Sequence, residues 1–319
     1  MIQFSPRVLI IVLNWMKYED TINCVKSLQQ LTYSNFKIYI VDNASQNESL
    51  EKLKETFPEE LVIQSPTNNG YAAGNRLGVD YASDNNFDLV WVLNNDCVVR
   101  TDSLTELVRS YQKYGDALYS NTTLLSENPD IIHYAGTYAI DETLSPEKYP
   151  TYDKLKGELL EKHISELKDK EARIYGHSML IPISVIRKYG FMDLGYFMFC
   201  EETDYTLTLN EKGVPSRYVA KAVITHISTS TFRLSPKMKF VGTYYGVRNK
   251  YYLDKKFPSG YRSKIISQVG GWKGVLKFAL LNRFLKKNYL SEEMHYQMLG
   301  LWHGIIGKRG KVIDPEKLL

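Results

Sequence analysis

Four short apolar runs recur within the first hundred residues, and segments of helical character separate them. Short apolar runs that end abruptly in polar residues have the length of strands buried on both faces of a sheet. The runs are residues 8–13, 37–41, 61–63 and 89–93. The helical segments are residues 19–31, residues 49–57 and a stretch from after residue 75 to about residue 83. Strands and helices that alternate in this way predict an α/β protein with a parallel, doubly wound sheet.

Polar residues and glycines follow each of these runs at the point where the predicted strand ends. The carboxyl ends of parallel strands share one edge of a sheet, so residues far apart in the sequence converge on one crevice there. Each of these residues alone fits a helix cap or a turn, but four sets in register favour a shared ligand site. They are Asn14, Asp42, Asn43, Gly70, Gly74, Asn75, Asn94, Asn95 and Asp96.

Asp96 is the charged member of the polar group that ends the fourth run. A carboxylate beside amide oxygens at a strand end suits a hard divalent cation and, through the cation, a phosphate. The alternative is that Asn94 and Asn95 begin a turn and that Asp96 caps the next helix. The other strand ends favour the first interpretation.

A second acidic group begins a predicted helix further along the chain. Glu201, Glu202 and Asp204 follow an apolar, aromatic stretch, and the predicted helix runs to about Lys212. An acidic first turn is also what the helix dipole favours without any ligand. A later strand, residues 219–225, leads directly to His226.

The net charge of +4 conceals an acidic body and a basic C-terminal region. Residues 1–231 carry 22 Lys and Arg against 31 Asp and Glu, whereas residues 232–319 carry 18 against 5. We take these ranges as a catalytic domain and a mainly helical C-terminal region. The basic part suits an anionic partner such as a membrane surface, a lipid diphosphate or nucleic acid, or forms a dimer interface.

Residues 271–287 form an apolar helix candidate edged with lysines and arginine. Such a helix lies in a membrane interface or packs on the protein body, and the sequence leaves both open. Three unpaired cysteines, Cys24, Cys97 and Cys200, fit a reducing compartment. No apolar run reaches the length of a membrane span. We therefore expect a cytoplasmic protein, with peripheral membrane contact as an option.

The order of these motifs resembles glycosyltransferase family 2, and within it the bacterial rhamnosyltransferases and galactofuranosyltransferase-like enzymes. Residues 244–249 also resemble the YYxxRN signature of that branch, and residues 300–310 resemble its Gly-rich ending. The resemblance covers nearly the whole chain except residues 141–173. The other motifs that carry it are Leu13–Trp15, Val41–Ser45, Asn69–Asn75, Leu93–Asp96, Glu201–Asp204 and His226.

The resemblance implies a GT-A fold and a nucleotide-diphosphate sugar as donor. Asp42 matches the acidic residue that contacts the base or ribose, and the loop at residues 70–75 would let the backbone approach the nucleotide closely. Asp96 matches the last acidic position of the metal-binding DXD motif, where Asn94 replaces the first. His226 matches a histidine that completes a Mn²⁺ or Mg²⁺ site, and a mixed oxygen and nitrogen site suits Mn²⁺ better.

Glu202 matches the family's catalytic base, which takes the proton of the acceptor hydroxyl as it attacks the anomeric carbon. Asp204 would orient this base or the acceptor, and Glu201 would hold a sugar hydroxyl. His177 is expected on the acceptor side. Arg248, with Arg233 and Lys250, is expected to meet a diphosphate, because the Arg fork matches phosphate oxygens.

The resulting expectation is an inverting transferase that moves L-rhamnose from dTDP-rhamnose to a lipid-linked or growing cell-surface polysaccharide such as capsule or O-antigen. A UDP-sugar donor, galactofuranose or another hexose, is the alternative within the family. A nucleotidyltransferase would need a Gly-rich basic loop after the first strand, which residues 13–16 do not provide. Asn94 and Glu202 leave open a binding homologue without catalysis. Nucleic acid is not an expected partner.

Overall fold

The computed structural model describes residues 5–136, 155–172, 174–227, 235–281 and 291–318. Residues 141–154 and 173 of the 141–173 segment, together with Arg233, lie outside this part of the chain. The described residues form two compact units. The first contains residues 5–192, with the gaps just given, and 202–227, and the second contains residues 193–201 and 235–318. The stretch 193–201, assigned by sequence to the catalytic domain, thus belongs to the second unit.

The first unit is built on one mixed sheet whose main path runs β3-β2-β1-β4-β9-β6-β10-β5, with β7 beside β6 and β8 beside β10. The half from β3 to β4 is parallel throughout, whereas β9 runs antiparallel to its neighbours. The strands are β1 Val8–Asn14, β2 Phe36–Asp42, β3 Val62–Gln64, β4 Leu89–Asn94, β5 Cys97–Val99, β6 Leu118–Leu125, β7 Asn128–Tyr134, β8 Lys170–Glu171, β9 Ser178–Pro182 and β10 Ser216–His226.

Helices cover both faces of this sheet, as a doubly wound fold requires. Helices α1, α2 and α4 contribute side chains to one apolar core, and α3, α6 and α7 contribute to the core on the opposite face. The helices are α1 Tyr18–Leu28, α2 Ser49–Thr56, α3 Tyr71–Asp84, α4 Ser103–Tyr114, α5 Leu160–His163, α6 Ile183–Tyr189 and α7 Glu201–Glu211.

Strand β4 lies in the middle of the sheet and is buried on both faces. Leu89, Trp91 and Leu93 point into one core, and Val90 and Val92 point into the other. Successive side chains of a strand alternate between faces, so an unbroken apolar run satisfies both cores. Full burial of one such aliphatic side chain contributes roughly 1.5–3 kcal/mol. The run therefore fixes the strand and delivers its polar end to the edge of the sheet.

The four strands predicted from apolar runs are confirmed, and so is the α/β class. Strands β5, β6, β7 and β8 were not predicted. In β6, the polar residues Ser120–Thr123 are all fully buried, so the strand lacks the apolar run that identified the others. Hydrogen bonds such as the one between Thr122 and Tyr218 offset part of the cost of burying its hydroxyl and amide groups.

The second unit is helical in the residues described, as predicted for the C-terminal region. Helices α8 and α11 approach so closely that a Cβ on Gly300 would lie 2.5 Å from the carbonyl oxygen of Tyr244. Among the described helices, none combines the length and the apolar character needed to cross a bilayer. The helices are α8 Met238–Lys256, α9 Tyr261–Gln268, α10 Gly271–Leu280 and α11 Glu292–Ile305.

Candidate active site

The carboxyl ends of β1 and β2 are joined by a buried hydrogen-bond network. Asn14 Nδ2 donates to Asp42 Oδ1 at 2.7 Å, and the backbone N–H of Ser45 donates to Asp42 Oδ2 at 3.0 Å. Thr21 Oγ1 donates to Asn14 Oδ1 at 2.8 Å. Neither Asn14 nor Asp42 exposes any surface. The direct donor contact predicted for this pair is therefore corrected: the two side chains hold the strand ends in place beneath the crevice.

Two residues without the freedom of glycine adopt left-handed backbone conformations at this edge. Met16 has φ of 62° and Ala44 has φ of 56°. The Ser45 hydroxyl accepts a hydrogen bond from the backbone N–H of Met16 at 2.8 Å, which ties the two turns together. Backbone strain of this kind persists where the surroundings over-determine it, often at functional sites.

The glycine-rich segment is mainly helix rather than loop. Gly70 caps α3 with φ of 95°, and the helix begins at Tyr71. A Cβ on Gly74 would lie 2.4 Å from Leu13 Cδ1, so this glycine lets α3 pack tightly on β1. The predicted close approach of residues 70–75 to a nucleotide is thus corrected for Gly74, whose close neighbour is a strand.

Asn43 and Asn75, near this helix, form hydrogen bonds within the protein through their amide nitrogens. Asn43 Nδ2 donates to Asn68 Oδ1 at 3.1 Å, and Asn68 Oδ1 also accepts from the N–H of Gly70. Asn75 is fully buried, and its Nδ2 donates to the carbonyl of Tyr71. The Oδ1 atoms of Asn43 and Asn75 are buried and accept no hydrogen bond from the described residues, so the donor contacts predicted for them remain predictions.

Asn94 and Asn95 at the end of β4 have different surroundings. Asn95 Nδ2 donates to Thr21 Oγ1 at 2.9 Å and to the carbonyl of Lys17, so it anchors the turn to α1, and its predicted donor contact remains a prediction. Asn94 Oδ1 is buried and accepts no hydrogen bond from the described part of the chain. A buried hydrogen-bond acceptor that lacks a partner at a strand end fits a residue that binds a ligand hydroxyl or a cation.

Asp96 and His226, predicted as metal ligands, are brought together. Asp96 Oδ1 lies 3.2 Å from His226 Nε2, and the two residues come from the end of β4 and the end of β10. Two neighbouring ligands on one Mn²⁺ or Mg²⁺ ion lie about 3 Å apart. The distance between Asp96 Oδ1 and His226 Nε2 therefore fits two ligands of one cation, and neither side chain has to move to bind it.

The ring of His226 is oriented by stacking. Its Nδ1 atom has no hydrogen-bond partner among the described residues. The ring of His177 stacks on it with centroids 4.6 Å apart, and His177 Nε2 lies 2.7 Å from Thr123 Oγ1. Burial, together with the charges of His226 and His133, holds the pKa of His177 well below its ordinary value. His177, predicted on the acceptor side, is instead a buried neutral ring behind His226.

Cys97 is a member of this cluster that the sequence interpretation did not assign. Its Sγ lies with a carboxylate oxygen of Asp96 and a ring nitrogen of His226 in a group whose ligand atoms are all within 4.8 Å of one another. Its position directly after Asp96 was the available signal. The thiol is fully buried, and burial raises its pKa well above the ordinary value, so the hard carboxylate is the better cation ligand.

The acidic cluster opens α7, and one of its members reaches the surface. Glu202 is half-buried, whereas Glu201 and Asp204 are each only 4% exposed. Glu202 lies over Gly176, where an added Cβ would be 2.5 Å from Glu202 Cγ. Gly176 directly precedes His177, so one short segment contacts both Glu202 and His226. The sugar and acceptor roles of Glu201 and Asp204 remain predictions.

Arg248 does not have the role of a diphosphate ligand that the sequence predicts. It is fully buried in the second unit, and Nη1 donates to the carbonyl of Gly310 and Nη2 to that of Tyr196, both at 2.7 Å. The guanidinium also lies 4.6 Å from the ring centroid of Tyr245. Its donors serve backbone carbonyls, so the predicted diphosphate contact is corrected. The neighbouring amide, Asn249 Nδ2, donates to the carbonyl of Met198 at 2.6 Å.

The family model described as "Glycosyl transferase family 2" matches residues 8–164. These residues contain β1 to β4 and the Asp96 end of the candidate metal site. The matched region is a glycosyltransferase family 2 domain. The resemblance read from the motifs is thereby confirmed for the family, although not for a particular sugar.

The chain is also similar in sequence to a curated protein. The chain is 27% identical over 207 residues to the low-salt glycan biosynthesis hexosyltransferase Agl10 of Haloferax volcanii. The aligned part spans 61% of this chain and 59% of that protein.

Solved structures show the fold that accompanies the family 2 domain. The mannosyltransferase PcManGT from Pyrobaculum calidifontis, in complex with GDP-Man and Mn²⁺, superposes with a TM-score of 0.53 at 10% identity, covering 96% of this chain and 72% of that one. GalNAc-T7 with UDP, GalNAc and Mn²⁺ gives a TM-score of 0.55 at 17% identity over 70% and 44% of the two chains. The expected GT-A fold is confirmed.

Proposed function

We propose that the protein is an inverting, metal-dependent hexosyltransferase that moves a sugar from a nucleotide diphosphate to an acceptor hydroxyl. The observation that carries this proposal is the pairing of Asp96 with His226 at 3.2 Å, with Glu202 held over the adjacent Gly176. A cation site and a surface-reaching carboxylate, both in contact with residues 176–177, are the two parts that direct displacement requires.

The residues at the strand ends fit a divalent cation. Asp96 offers a carboxylate, His226 an imidazole nitrogen, and Asn94 a carbonyl oxygen that accepts no hydrogen bond from the described residues. A bound Mn²⁺ or Mg²⁺ would stabilise the negative charge that develops on the departing diphosphate. The mixed oxygen and nitrogen set favours Mn²⁺, and both structural neighbours named above hold Mn²⁺.

Glu202 is the proposed general base. It is the member of the acidic cluster at the start of α7 that reaches the surface, so it can meet an acceptor hydroxyl. One base is sufficient, because a diphosphate leaves without taking up a proton. The Thr203 hydroxyl donates to Glu202 Oε1 at 3.2 Å and helps to orient this carboxylate.

The proposed donor is dTDP-rhamnose, and UDP-linked galactofuranose or another hexose is the alternative. The rhamnosyl proposal rests on the YYxxRN-like residues 244–249. Relatives and structural neighbours carry other names: a hexosyltransferase, a mannosyltransferase with GDP-Man, and GalNAc-T7 with UDP and GalNAc. A donor panel must therefore include dTDP-, UDP- and GDP-linked sugars.

The proposed acceptor is a hydroxyl of a lipid-linked or growing cell-surface polysaccharide, such as capsule or O-antigen, in a bacterial cytoplasm. The curated relative acts in glycan biosynthesis according to its name, which supports this class of acceptor.

Single-turnover transfer and donor hydrolysis test the proposal. The protein is incubated with each sugar nucleotide and Mn²⁺, and release of the nucleoside diphosphate is followed with and without acceptor oligosaccharides. We expect one donor to be turned over by the native protein and not by Glu202→Gln, which should bind that donor with unchanged affinity. Glu211→Gln, at the exposed end of the same helix, is the matched control. Binding without turnover in the native protein would instead indicate a non-catalytic homologue.

A further inference from the structure

Helix α10 presents an apolar stripe to solvent. Trp272, Leu276 and Leu280 are 55%, 56% and 57% exposed, respectively. They are spaced four residues apart, so they lie on one side of the helix. Val275 and Phe278 of the same helix are buried in the second unit. The helix is therefore already packed through one side and keeps a second apolar side outward.

This stripe is not ordinary surface. Single exposed apolar residues are common, but a row of large ones on one helix marks an interaction site. Among the described residues, the large apolar side chains with more than half of their surface exposed are these three. Burial of the three side chains against an apolar phase would contribute several kcal/mol, at roughly 1.5–3 kcal/mol each.

Basic residues border the stripe. Lys273 and Lys277 are exposed and follow Trp272 and Leu276 directly in the sequence, so they lie along one edge of it. Residues 255–291 contain nine Lys and Arg and no Asp or Glu. An apolar side edged with lysines is the arrangement of helices that lie in the plane of an anionic bilayer surface.

We infer that α10 is a docking surface for an anionic lipid membrane, with Trp272, Leu276 and Leu280 inserted among the acyl chains and the lysines at the headgroups. The surface belongs to the second unit, whereas Asp96 and His226 belong to the first. It goes beyond the proposed transfer reaction, because membrane binding needs neither donor nor catalysis.

The positive charge around α10 favours an anionic membrane over a second copy of the chain as the binding partner. An isologous dimer formed through α10 would bring two basic segments face to face, because each surface meets itself across a two-fold axis. Like charges directly opposed in an interface disfavour association. An anionic membrane supplies both the apolar phase for the stripe and the opposite charge for its border.

Vesicle binding of the full-length protein tests the inference. Phosphatidylcholine vesicles with and without about 30% phosphatidylglycerol are pelleted with the protein at low salt. We expect binding to the anionic vesicles, and a loss of at least about tenfold in 0.5 M salt, because surface charge is screened. No binding to either kind of vesicle would overturn the inference.

Matched variants locate the surface. Leu276→Ser should weaken binding severalfold, and Trp272→Ser/Leu276→Ser/Leu280→Ser should abolish it. Ile164→Ser, which changes an equally exposed apolar residue (48%) in the first unit, should leave binding unchanged. Lys273→Glu/Lys277→Glu should remove the preference for anionic lipid. Binding that survives the triple substitution would overturn the assignment to α10.

Trp272 also gives a direct readout of insertion. Vesicles brominated on the acyl chains should quench the fluorescence of the native protein and of Trp302→Phe, but not that of Trp272→Phe. Donor binding by Trp272→Phe should be unchanged. Sedimentation equilibrium without lipid distinguishes self-association: a dimer that Leu276→Ser dissociates would make α10 a protein interface and contradict membrane docking.

Discussion

The imidazole rings of His177 and His226 stack with their centroids 4.6 Å apart and their planes inclined by 12°. His226 aims Nε2 at Asp96, while its Nδ1 has no partner among the described residues. Metal-binding histidines usually have their second nitrogen held by a hydrogen bond. Here the stacked ring takes over that orienting role, and Thr123 fixes the ring in turn.

Replacement of His177 by Ala should therefore weaken cation binding. The loss of a group that orients a metal ligand costs about 10- to 100-fold in affinity, so we expect a Mn²⁺ dissociation constant raised by at least tenfold. Electron paramagnetic resonance of free Mn²⁺ measures it. His163→Ala, in the first unit but on α5, is the control. An unchanged constant would show that stacking does not orient His226.

Replacement of Gly176 by Ala should impair turnover through Glu202. The added Cβ would lie 2.5 Å from Glu202 Cγ, so the carboxylate must move away from its present position. Misplacement of a catalytic group by about 1 Å costs on the order of 10²-fold in rate. We expect this loss in kcat, measured in initial-rate assays, with little change in donor affinity.

The control for this substitution is Gly246→Ala in α8, where an added Cβ meets no atom within 4 Å. A loss of donor affinity equal to the loss of kcat would instead indicate that Gly176→Ala disturbs the whole site.

Replacement of Arg248 by Met should destabilise the protein without a specific effect on donor binding. The substitution leaves the carbonyl of Gly310 without its side-chain donor and removes one of two side-chain donors, Arg248 and Asn249, from the carbonyl of Tyr196. We expect a loss on the order of 3 kcal/mol in the free energy of unfolding, measured by urea denaturation. Lys255→Met, exposed on the same helix, should be nearly neutral. Unchanged stability with weakened donor binding would restore the diphosphate role.

The stability of the protein should fall in mild acid because of His303. Burial, and then the charges of Lys308 and Arg248, lower the pKa of His303 to about 4, and its Nδ1 lies 2.7 Å from the hydroxyl of Tyr244. An unfolded histidine titrates near 6.5, so between about pH 6.5 and 4 the unfolded chain binds more protons. Stability is therefore complete above pH 6.5 and decreases as the pH falls through this window.

Urea midpoints at pH 7 and pH 5 measure this effect. The decrease on acidification should be smaller in His303→Gln than in the native protein, whereas His163→Gln should behave as the native protein does. An equal decrease in all three proteins would assign the acid sensitivity to other groups.

The sequence was most informative where a residue type and a strand end coincide. The run from Leu89 to Leu93 required a strand buried on both faces, and Asp96 and His226 follow strands whose ends meet. Pairing of distant strands is a tertiary property. The contact between these two residues could therefore be predicted from the order of motifs, but not from the periodicity of the sequence.

The interpretation of the sequence was wrong for residues whose role depends on how deeply they are buried. Arg248 has the chemistry of a phosphate ligand, but the aromatic residues around it enclose it completely. His177 and Asp42 likewise have the chemistry of a site and lie just behind its surface. Strand β6 was missed because its buried centre is polar. None of these outcomes follows from local sequence, since each depends on neighbours distant in the chain.

The most direct test of the account is a calorimetric titration of the native protein and of Asp96→Asn with sugar nucleotides, in the presence and absence of Mn²⁺. We predict Mn²⁺-dependent binding of one donor by the native protein and at least a tenfold loss in Asp96→Asn, while Asp130→Asn, an exposed carboxylate of the first unit, binds normally. Donor binding that is independent of Mn²⁺ and unaffected by Asp96→Asn would contradict the proposed site.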